Sequence, residues 1–448
     1  MKQRSLFLIA TMALAMQAGA QEKKQWTLDD CITYALEKNI QLQQNRLSLQ
    51  ETEEEDVKSA KAALFPSLSF STSHNVVNRP YQEQSATVSG TEIITSNSKT
   101  TYNGSYDLRA QWTIWNGGQR LNNIKQQQTN RDIAELAIST TSNTLQEQIT
   151  QLYLQILYAD ESVAINKGTL EVSKATYERA KELFNEGSIS KADLAQLEAQ
   201  VSNDEYQLIT SESSLRDYKL QLKQLLELDG TAEMDLVIPT LDETKVMQLL
   251  PNQQDIYQAA LAQRPEIQSS KLSIENAKLA ISSAKAGYLP TISLSASTSS
   301  MTNNASQNNW AEQMKYGWNN MLGVTLSIPI FDNRQNKTAV QKARIQYDNS
   351  LLSLTNQEKE LYKTIESLWL DALNAQQQFA AADSKLKSSQ TSFDLVNEQF
   401  SLGMKNTVEL LTEKNNLLSA QQQRIQAKYM AILNRTLLDF YAGEPIKI

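Results

Sequence analysis

An internal duplication limits the folds that are open to this chain. Residues 112–119 read WTIWNGGQ and residues 328–335 read IPIFDNRQ, an offset of 216 residues. The same offset aligns FNEG at 184–187 with FSLG at 400–403, and no insertion falls between the two matches. A segment of this length that keeps its register without a gap indicates continuous helices joined by one tight turn.

The beginnings of the two halves match as well. Residues 59–71 read SAKAALFPSLSFS and align with SAKAGYLPTISLS at 283–295, an offset of 224 residues. The change of offset places an eight-residue length difference in the loop between Ser71 and Leu108. Each half therefore reads as helix, strand, loop, strand, long helix, turn and helix.

This pattern gives bounds for the elements and for the domains. In the first half we expect helices at 27–64, 119–184 and 190–226 and strands at 67–77 and 102–115. In the second half we expect helices at 255–289, 335–400 and 407–441 and strands at 291–301 and 317–330. The divisions are a signal peptide at 1–20, a first structural repeat at 21–228, an equatorial linker at 229–252 and a second repeat at 253–448.

The strands alternate between apolar and polar residues, with the period of two that is typical of a sheet with one apolar face and one face exposed to water. One face of the second strand carries Tyr102, Gly104, Tyr106, Leu108, Ala110, Trp112 and Ile114. The fourth strand repeats this with Trp318, Asn320, Leu322, Val324, Leu326, Ile328 and Ile330. Strands of about 10 residues are long enough to cross a bilayer. The alternative, a sheet packed on a soluble core, conflicts with the polarity of the flanking helices.

The long helices carry apolar seams whose residues step by four and three alternately. The first seam consists of Leu145, Ile149, Leu152, Ile156, Ala159 and Val163. The second consists of Leu361, Ile365, Leu368, Ala372, Ala375 and Phe379. A period of 3.5 residues is typical of left-handed coiled-coil packing.

After the N-terminal segment, no apolar run approaches the ~20 residues of a transmembrane helix. If the chain crosses a membrane, it must do so with strands that close into a barrel, because only helices and closed barrels satisfy their backbone groups in lipid. Outer-membrane barrels begin at about eight strands, so four strands must be shared between copies. A dimer would supply eight strands and a trimer twelve.

The N-terminus has the pattern of a cleaved secretory signal. Lys2 and Arg4 precede an apolar stretch at 6–16, and small residues stand at 18–20, so we expect the mature chain to begin near Gln21. Cys31, the only cysteine, does not lie at the cleavage point, which disfavours a lipid anchor. A lone cysteine of this kind is expected to pack as a small apolar side chain.

Catalytic, metal and nucleic-acid sites are disfavoured. The net charge of −8 and pI near 5.1 predict no nucleic-acid partner. With His74 as the only histidine, no histidine-based metal site or triad can be assembled. Gly117 and Gly118 form a strand-to-helix turn and not a phosphate loop, since no Lys-Ser/Thr follows them. The acidic run at 51–56 fits a solvated helix face, and we expect no enzyme activity and no cofactor.

Together these features resemble the TolC family of outer-membrane efflux proteins. The residues that carry the resemblance are Leu64-Phe65-Pro66, Leu289-Pro290, the segment 328–332 and the paired turns at 184–187 and 400–403. The resemblance implies a mainly α chain whose four strands complete a trimeric β-barrel above an α-helical barrel. It also implies an outer-membrane location with a large periplasmic portion, a homotrimer, and docking to a periplasmic adaptor protein and an inner-membrane transporter.

The resemblance further implies which residues form the periplasmic aperture. In this family acidic residues near the turns constrict the pore, and Asp193 and Glu409 fit that position, with Lys405 as the basic residue two positions after the glycine. The sequence departs from the pattern at Thr412, where a second acid is expected, and Glu413 stands one step off. The turns that would face the adaptor contain Gly187, Ser188, Gly403 and Met404.

Two other functional classes compete with a transport duct. A soluble periplasmic coiled-coil adaptor or scaffold would leave unexplained why Trp112, Trp115 and Trp318 lie near strand ends, where aromatic belts occur in membrane proteins. An envelope hydrolase would need a nucleophile and base that the sequence does not offer. Polar walls suit drugs, metals, siderophores or polypeptides alike, so the cargo stays open.

Overall fold

The computed structural model describes residues 25–81, 85–89, 92–96, 99–229, 234–239, 246–304 and 306–447. The signal peptide expected at 1–20 and parts of the linker expected at 229–252 lie outside these ranges. Most of the described residues are helical. Within these ranges, no helix combines the length and the apolarity that crossing a membrane would take.

The helices are α1 Leu28–Lys38, α2 Ile40–Gln50, a π-helical segment Glu51–Val57, α3 Lys58–Ala62, α4 Gln119–Asn185, α5 Lys191–Leu225, α6 Gln253–Gln263, α7 Pro265–Ala286, α8 Trp310–Tyr316, α9 Gln335–Ser401 and α10 Thr407–Tyr441. The strands are β1 Gln25–Trp26, β2 Ser67–Asn78, β3 Ser85–Ser89, β4 Glu92–Ser96, β5 Thr100–Trp115, β6 Asp235–Leu236, β7 Thr291–Asn303 and β8 Asn319–Ser327. The long helices α4 and α9 have 67 residues each, and α5 and α10 have 35 each.

Two helices that the sequence predicted as continuous are interrupted, and the prediction is wrong at both places. Asn39 has an extended ψ of 129°, and its side chain accepts a hydrogen bond from the Leu42 N–H at 3.2 Å, which caps α2. Arg264 has a ψ of 126° because it precedes Pro265, whose ring disfavours a helical residue before it. Each interruption lies four residues after a buried alanine, Ala35 or Ala260.

The four long strands form one antiparallel sheet in the order β2-β5-β7-β8. Two details differ from the sequence prediction. Strand β8 is shorter than the 317–330 expected, because α8 precedes it and its pairing stops before Pro329, which has no N–H to donate. A bulge in β5 brings Trp115, and not Ile114, opposite Ile292.

The register places the apolar residues of the four strands on one face. Leu108 pairs with Phe70 on one side and with Thr298 on the other, and Ala296 pairs with Leu322. This face, which we call the apolar face, is open to solvent in the single chain: Leu322 is 75% exposed and Phe70 is 64% exposed. A sheet packed on a soluble core would have these residues covered.

The described chain divides into two compact units, and each contains segments of both sequence halves. The sheet unit comprises Leu47–Leu136 and Ser269–Thr355. The helical unit comprises the residues up to Arg46, Ala137–Gln268 and Asn356 onwards. The functional features below lie within one unit or the other.

The core of the helical unit is built on the predicted seams. Leu145, Ile149 and Ile156 of α4 are buried, and so are Leu361 and Ile365 of α9. Cys31 is fully buried in the cluster that includes Ile149, as expected of a small apolar side chain. Burial of these residues stabilises the helices, whose other faces are polar.

Candidate functional site

The first of the two predicted turns joins α4 to α5. Gly187 has a φ of +76°, which a residue with a Cβ adopts only at a cost. Its N–H donates to Phe184 O at 2.9 Å, and the Ser188 N–H donates to Leu183 O at 2.9 Å. These two bonds satisfy carbonyls at the end of α4, the arrangement that closes a helix on a left-handed residue.

The second turn, between α9 and α10, has the same geometry. Gly403 also has a φ of +76°, its N–H donates to Phe400 O at 3.0 Å, and Met404 N–H donates to Gln399 O at 2.9 Å. Met404 is 64% exposed, and Ser188 is exposed at the other turn. Both turns therefore present small or flexible side chains to solvent.

Asp193 lies at the third position of α5 and completes a capping box with Ser190. The Asp193 N–H donates to Ser190 Oγ at 3.1 Å, and the Ser190 hydroxyl donates to Asp193 Oδ2 at 2.6 Å. Hydrogen bonds from Ser190 and from the buried hydroxyl of Thr407 hold the pKa of the Asp193 carboxyl below its usual value. Because Thr407 begins α10, this interaction reaches from the first turn to the second.

Glu409 occupies the equivalent position of α10. Its N–H donates to Asn406 Oδ1 at 2.9 Å, and Asn406 N–H donates to Glu409 Oε2 at 3.2 Å. Lys405 Nζ donates to Glu409 Oε1 at 2.5 Å, and this bond, with the one from the Asn406 backbone, lowers the pKa of the Glu409 carboxyl. Both acidic residues are therefore ionised at neutral pH and also serve as helix caps.

The three predicted aperture residues thus lie at the two turns, but they do not contribute charge equally. Lys405 neutralises Glu409 within the chain, so the group carries the net charge of Asp193 alone. Thr412 is exposed and donates to its own helix at Val408 O, 2.8 Å away. Glu413 accepts a bond from Asn416 at 3.3 Å and makes no cap.

An apolar cluster supports the turns from within the helical unit. Its buried members are Ala180, Leu197, Phe393, Phe400, Leu410 and Leu417. They come from all four helices that meet at the turns, so the two capped helix starts are fixed relative to each other. Packing of this kind holds the charged groups at defined positions.

The helical unit also contains a buried polar network that the sequence reasoning missed. Asp204 is 2% exposed and accepts hydrogen bonds from Ser173, from Lys414 and, at 2.8 Å, from Gln200. Burial lowers the pKa of the Lys414 ammonium, although Asp204 opposes the shift. The sequence offers a signal, because Asp204 lies seven residues after buried Leu197 and therefore on the same face of α5.

Most of this chain matches the model of a known protein family. The profile described as "Outer membrane efflux protein" matches residues 31–227 and 256–444 of the chain. The outer membrane efflux protein BepC of Brucella suis is 21% identical over 435 residues, which cover 96% of this chain and 88% of BepC. The outer membrane protein TolC of Escherichia coli K12 is 22% identical over 309 residues, which cover 68% of this chain and 62% of TolC.

A solved structure has the same fold. The crystal structure of CusC, a protein that changes conformation on folding and transmembrane channel formation, superposes with a TM-score of 0.78 at 19% identity. The superposition covers 93% of this chain and 92% of CusC. No group of residues able to hold a metal ion occurs within the described ranges.

Proposed function

This chain belongs to the outer membrane efflux protein family, and from this we propose that it is a subunit of an outer-membrane channel. The channel would serve a tripartite efflux or type I secretion system, and would pass substrates from an inner-membrane transporter and a periplasmic adaptor protein to the exterior. The observation that carries the proposal is the four-stranded sheet, whose apolar face is open to solvent in the single chain.

The sheet supports a barrel that is shared between copies. Strand β2 pairs only with β5, and β8 pairs only with β7, among the strands that the structure describes. Two open edges and four strands do not close alone, since outer-membrane barrels need at least about eight strands. Three copies would supply twelve strands, as the resemblance to the TolC family implies.

The apolar face has the dimensions of a membrane-spanning surface. Tyr102 and Tyr106 lie toward one end of β5, and Trp112 and Trp115 lie at the other. Ten residues of strand between Tyr102 and Trp112 span about 33 Å, and a tilt of 35–45° reduces this to roughly 25 Å, the height of the apolar band. Aromatic residues at both limits match the belts found at membrane surfaces.

The helical unit would form the wall of a periplasmic tunnel. The equal lengths of α4 and α9, and of α5 and α10, support the duplicated unit proposed from the sequence. The same support comes from the two separate segments that match the family profile. A signal peptide at 1–20 would direct the chain to export, and the linker at 229–252 would join the two repeats.

The turns would form the periplasmic end of this tunnel. Asp193, Glu409 and Lys405 are proposed to line the aperture, and in a trimer their net charge of −1 per chain would form an acidic ring. The turn residues proposed to face the adaptor are Gly187, Ser188, Gly403 and Met404. Their exposure and their position outside the apolar cluster support that role.

Conductance in planar lipid bilayers tests both the channel and the aperture. The purified protein should form cation-selective pores that polyvalent cations block from the periplasmic side, because a ring of negative charge concentrates cations at a narrow mouth. Glu409→Gln removes three charges per trimer and keeps a capping side chain, so it should weaken both selectivity and block.

Glu413→Gln is the matched control, since Glu413 makes no cap and lies one step from the proposed stripe. Equal effects of the two substitutions would show that the aperture has been assigned to the wrong residues. A protein that forms no pores and stays in the aqueous phase without detergent would favour a soluble periplasmic scaffold.

A further inference from the structure

Only two residues of the four long strands carry a formal charge. Strands β2, β5, β7 and β8 are described over their whole length, and their sequences contain a single carboxylate, Asp107, and a single residue of the Lys or Arg type, Arg109. The two side chains form an ion pair on β5, with Arg109 Nε 3.6 Å from Asp107 Oδ1. Charged residues in membrane-spanning segments almost always face the protein interior or a water-filled cavity.

The pair lies on the face opposite the apolar one. Its members alternate with Leu108 along β5, so they share the face of Ser105 and Gln111. We call this the serine face, because serines dominate it. The serines of the four strands on this face are Ser67, Ser69, Ser71, Ser73, Ser105, Ser293, Ser295, Ser297, Ser299 and Ser327.

The residues beside the ion pair on the adjacent strands have short side chains. Asp107 lies between Ser71 and Ser299 in the register, and Arg109 lies between Ser69 and Ser297. No side chain of comparable length stands beside Arg109 on these two adjacent strands, and its side chain remains 57% exposed. In a closed barrel the guanidinium would therefore extend further into the lumen than the hydroxyls around it.

We propose that Asp107 and Arg109 keep the barrel lumen unselective toward charge, because they form a mutually neutralising pair in a wall of serine hydroxyls. This inference rests on the proposed channel function. Three copies would bring three carboxylates and three guanidinium groups to mid-barrel, with zero net charge. The barrel would then admit anionic, cationic and uncharged polar solutes alike, and the selection by charge would occur elsewhere along the path.

The physical argument concerns what remains when one partner is removed. Close opposite charges cancel at distances larger than their separation, so the intact pair exerts little net field across the lumen. A single unpaired ring of three charges in a channel with low-dielectric walls focuses its field and enriches counter-ions. The effect should decrease as ionic strength rises, because the Debye length falls from about 10 Å at 0.1 M to 3 Å at 1 M.

The test measures reversal potentials under a salt gradient in planar bilayers, at low and at high ionic strength. Asp107→Asn should shift the cation-to-anion permeability ratio toward anions, and Arg109→Gln should shift it toward cations, each by at least about twofold. The double variant Asp107→Asn/Arg109→Gln should return the ratio toward that of the unsubstituted channel. Ser299→Lys, which places a cation opposite Asp107 on the same face, should shift the ratio toward anions.

A second measurement locates the side chain without relying on selectivity. Cys31 is fully buried, so a cysteine introduced into the sheet is the accessible thiol. Arg109→Cys channels should lose conductance when a charged, membrane-impermeant thiol reagent is added. Leu108→Cys, one residue away on the apolar face, should be unaffected by the same reagent.

Opposite shifts for the two single variants, with block only at position 109, would support the inference. Conducting channels in which both single variants leave selectivity unmoved, or shift it in the same direction, would overturn it while leaving the proposed function intact. Equal modification at positions 108 and 109 would also overturn it. A chain that forms no channel at all would refute the proposed function, and this inference with it.

Discussion

At the scale of single residues, the most unusual feature is the buried network of Ser173, Asp204 and Lys414. A buried ion pair adds little stability relative to well-packed apolar residues, because removing two charges from water offsets their attraction. Here each charged atom has partners, so the network is satisfied. We expect its effect to be on the specificity of packing, because the three side chains meet in the observed register of α10 against α4 and α5.

This network predicts a large difference between removing one partner and removing both. Lys414→Met leaves the Asp204 carboxylate buried without its cation, and we expect a loss of roughly 3–5 kcal/mol of stability. Lys414→Met/Asp204→Leu removes both charges and should recover most of that loss. Thermal unfolding followed by circular dichroism in detergent measures both variants.

The matched control is Lys363→Met on α9, whose partner Glu360 forms an exposed pair that is 3.8 Å long. Exposed pairs of this kind contribute about 0–1 kcal/mol, so the unfolding temperature should barely change. If Lys414→Met and Lys363→Met had the same effect, the buried network would have no structural role.

At the scale of elements, the strand register assigns a depth to each residue of the apolar face. Leu326 pairs with Ile292, which lies opposite Trp115, so Leu326 is level with one of the proposed aromatic belts. Leu322 pairs with Ala296, which lies opposite Ala110, nearer the middle of the strand. Residues on one face of one strand therefore differ in their expected distance from the bilayer centre.

A lysine scan along β8 should report these depths. Leu322→Lys should cost more than Leu326→Lys, because position 322 lies deeper in the band, whereas Leu326→Lys should cost about 0–1 kcal/mol at the interface. Thr325→Lys lies on the serine face and should be tolerated. The fraction of protein that assembles into folded barrel, measured by heat-modifiable migration on gels, ranks the three variants. If Leu322→Lys and Thr325→Lys assembled equally well, the sheet would not cross lipid in this register.

At the scale of the whole molecule, the open edges of the sheet are the reason to expect other copies of the chain. Unpaired strand edges invite association, and a closed barrel removes them. The chain has a mass of 50.4 kDa, including the expected signal peptide. We expect the detergent-solubilised protein to contain three mature chains by light scattering, after the mass of bound detergent has been subtracted. A stable monomer, or a dimer with eight strands, would contradict this prediction.

The sequence determined the features that depend on local periodicity. The 3.5-residue repeat predicted that Leu145 and Ile149 would be buried. The alternation along β5 predicted that Leu108 and Arg109 would lie on opposite faces. The turns at Gly187 and Gly403 were predictable because a left-handed residue favours glycine. Each of these signals lies within a few neighbouring residues, so no knowledge of the rest of the chain is needed to read it.

The contacts between residues far apart in the sequence became visible only in the folded chain. Asp204 forms an ion pair with Lys414, and Asp193 interacts with Thr407. Trp115 lies opposite Ile292 because of a bulge that strand alternation alone does not predict. The interruption at Asn39 also depends on a distant residue. The Asn39 side chain caps α2 and donates to Leu225 O at 3.5 Å. Such contacts depend on the relative register of segments far apart in the chain, which is set by packing. The periodicity of one segment can mark a buried position, but it does not identify the residue that the position contacts.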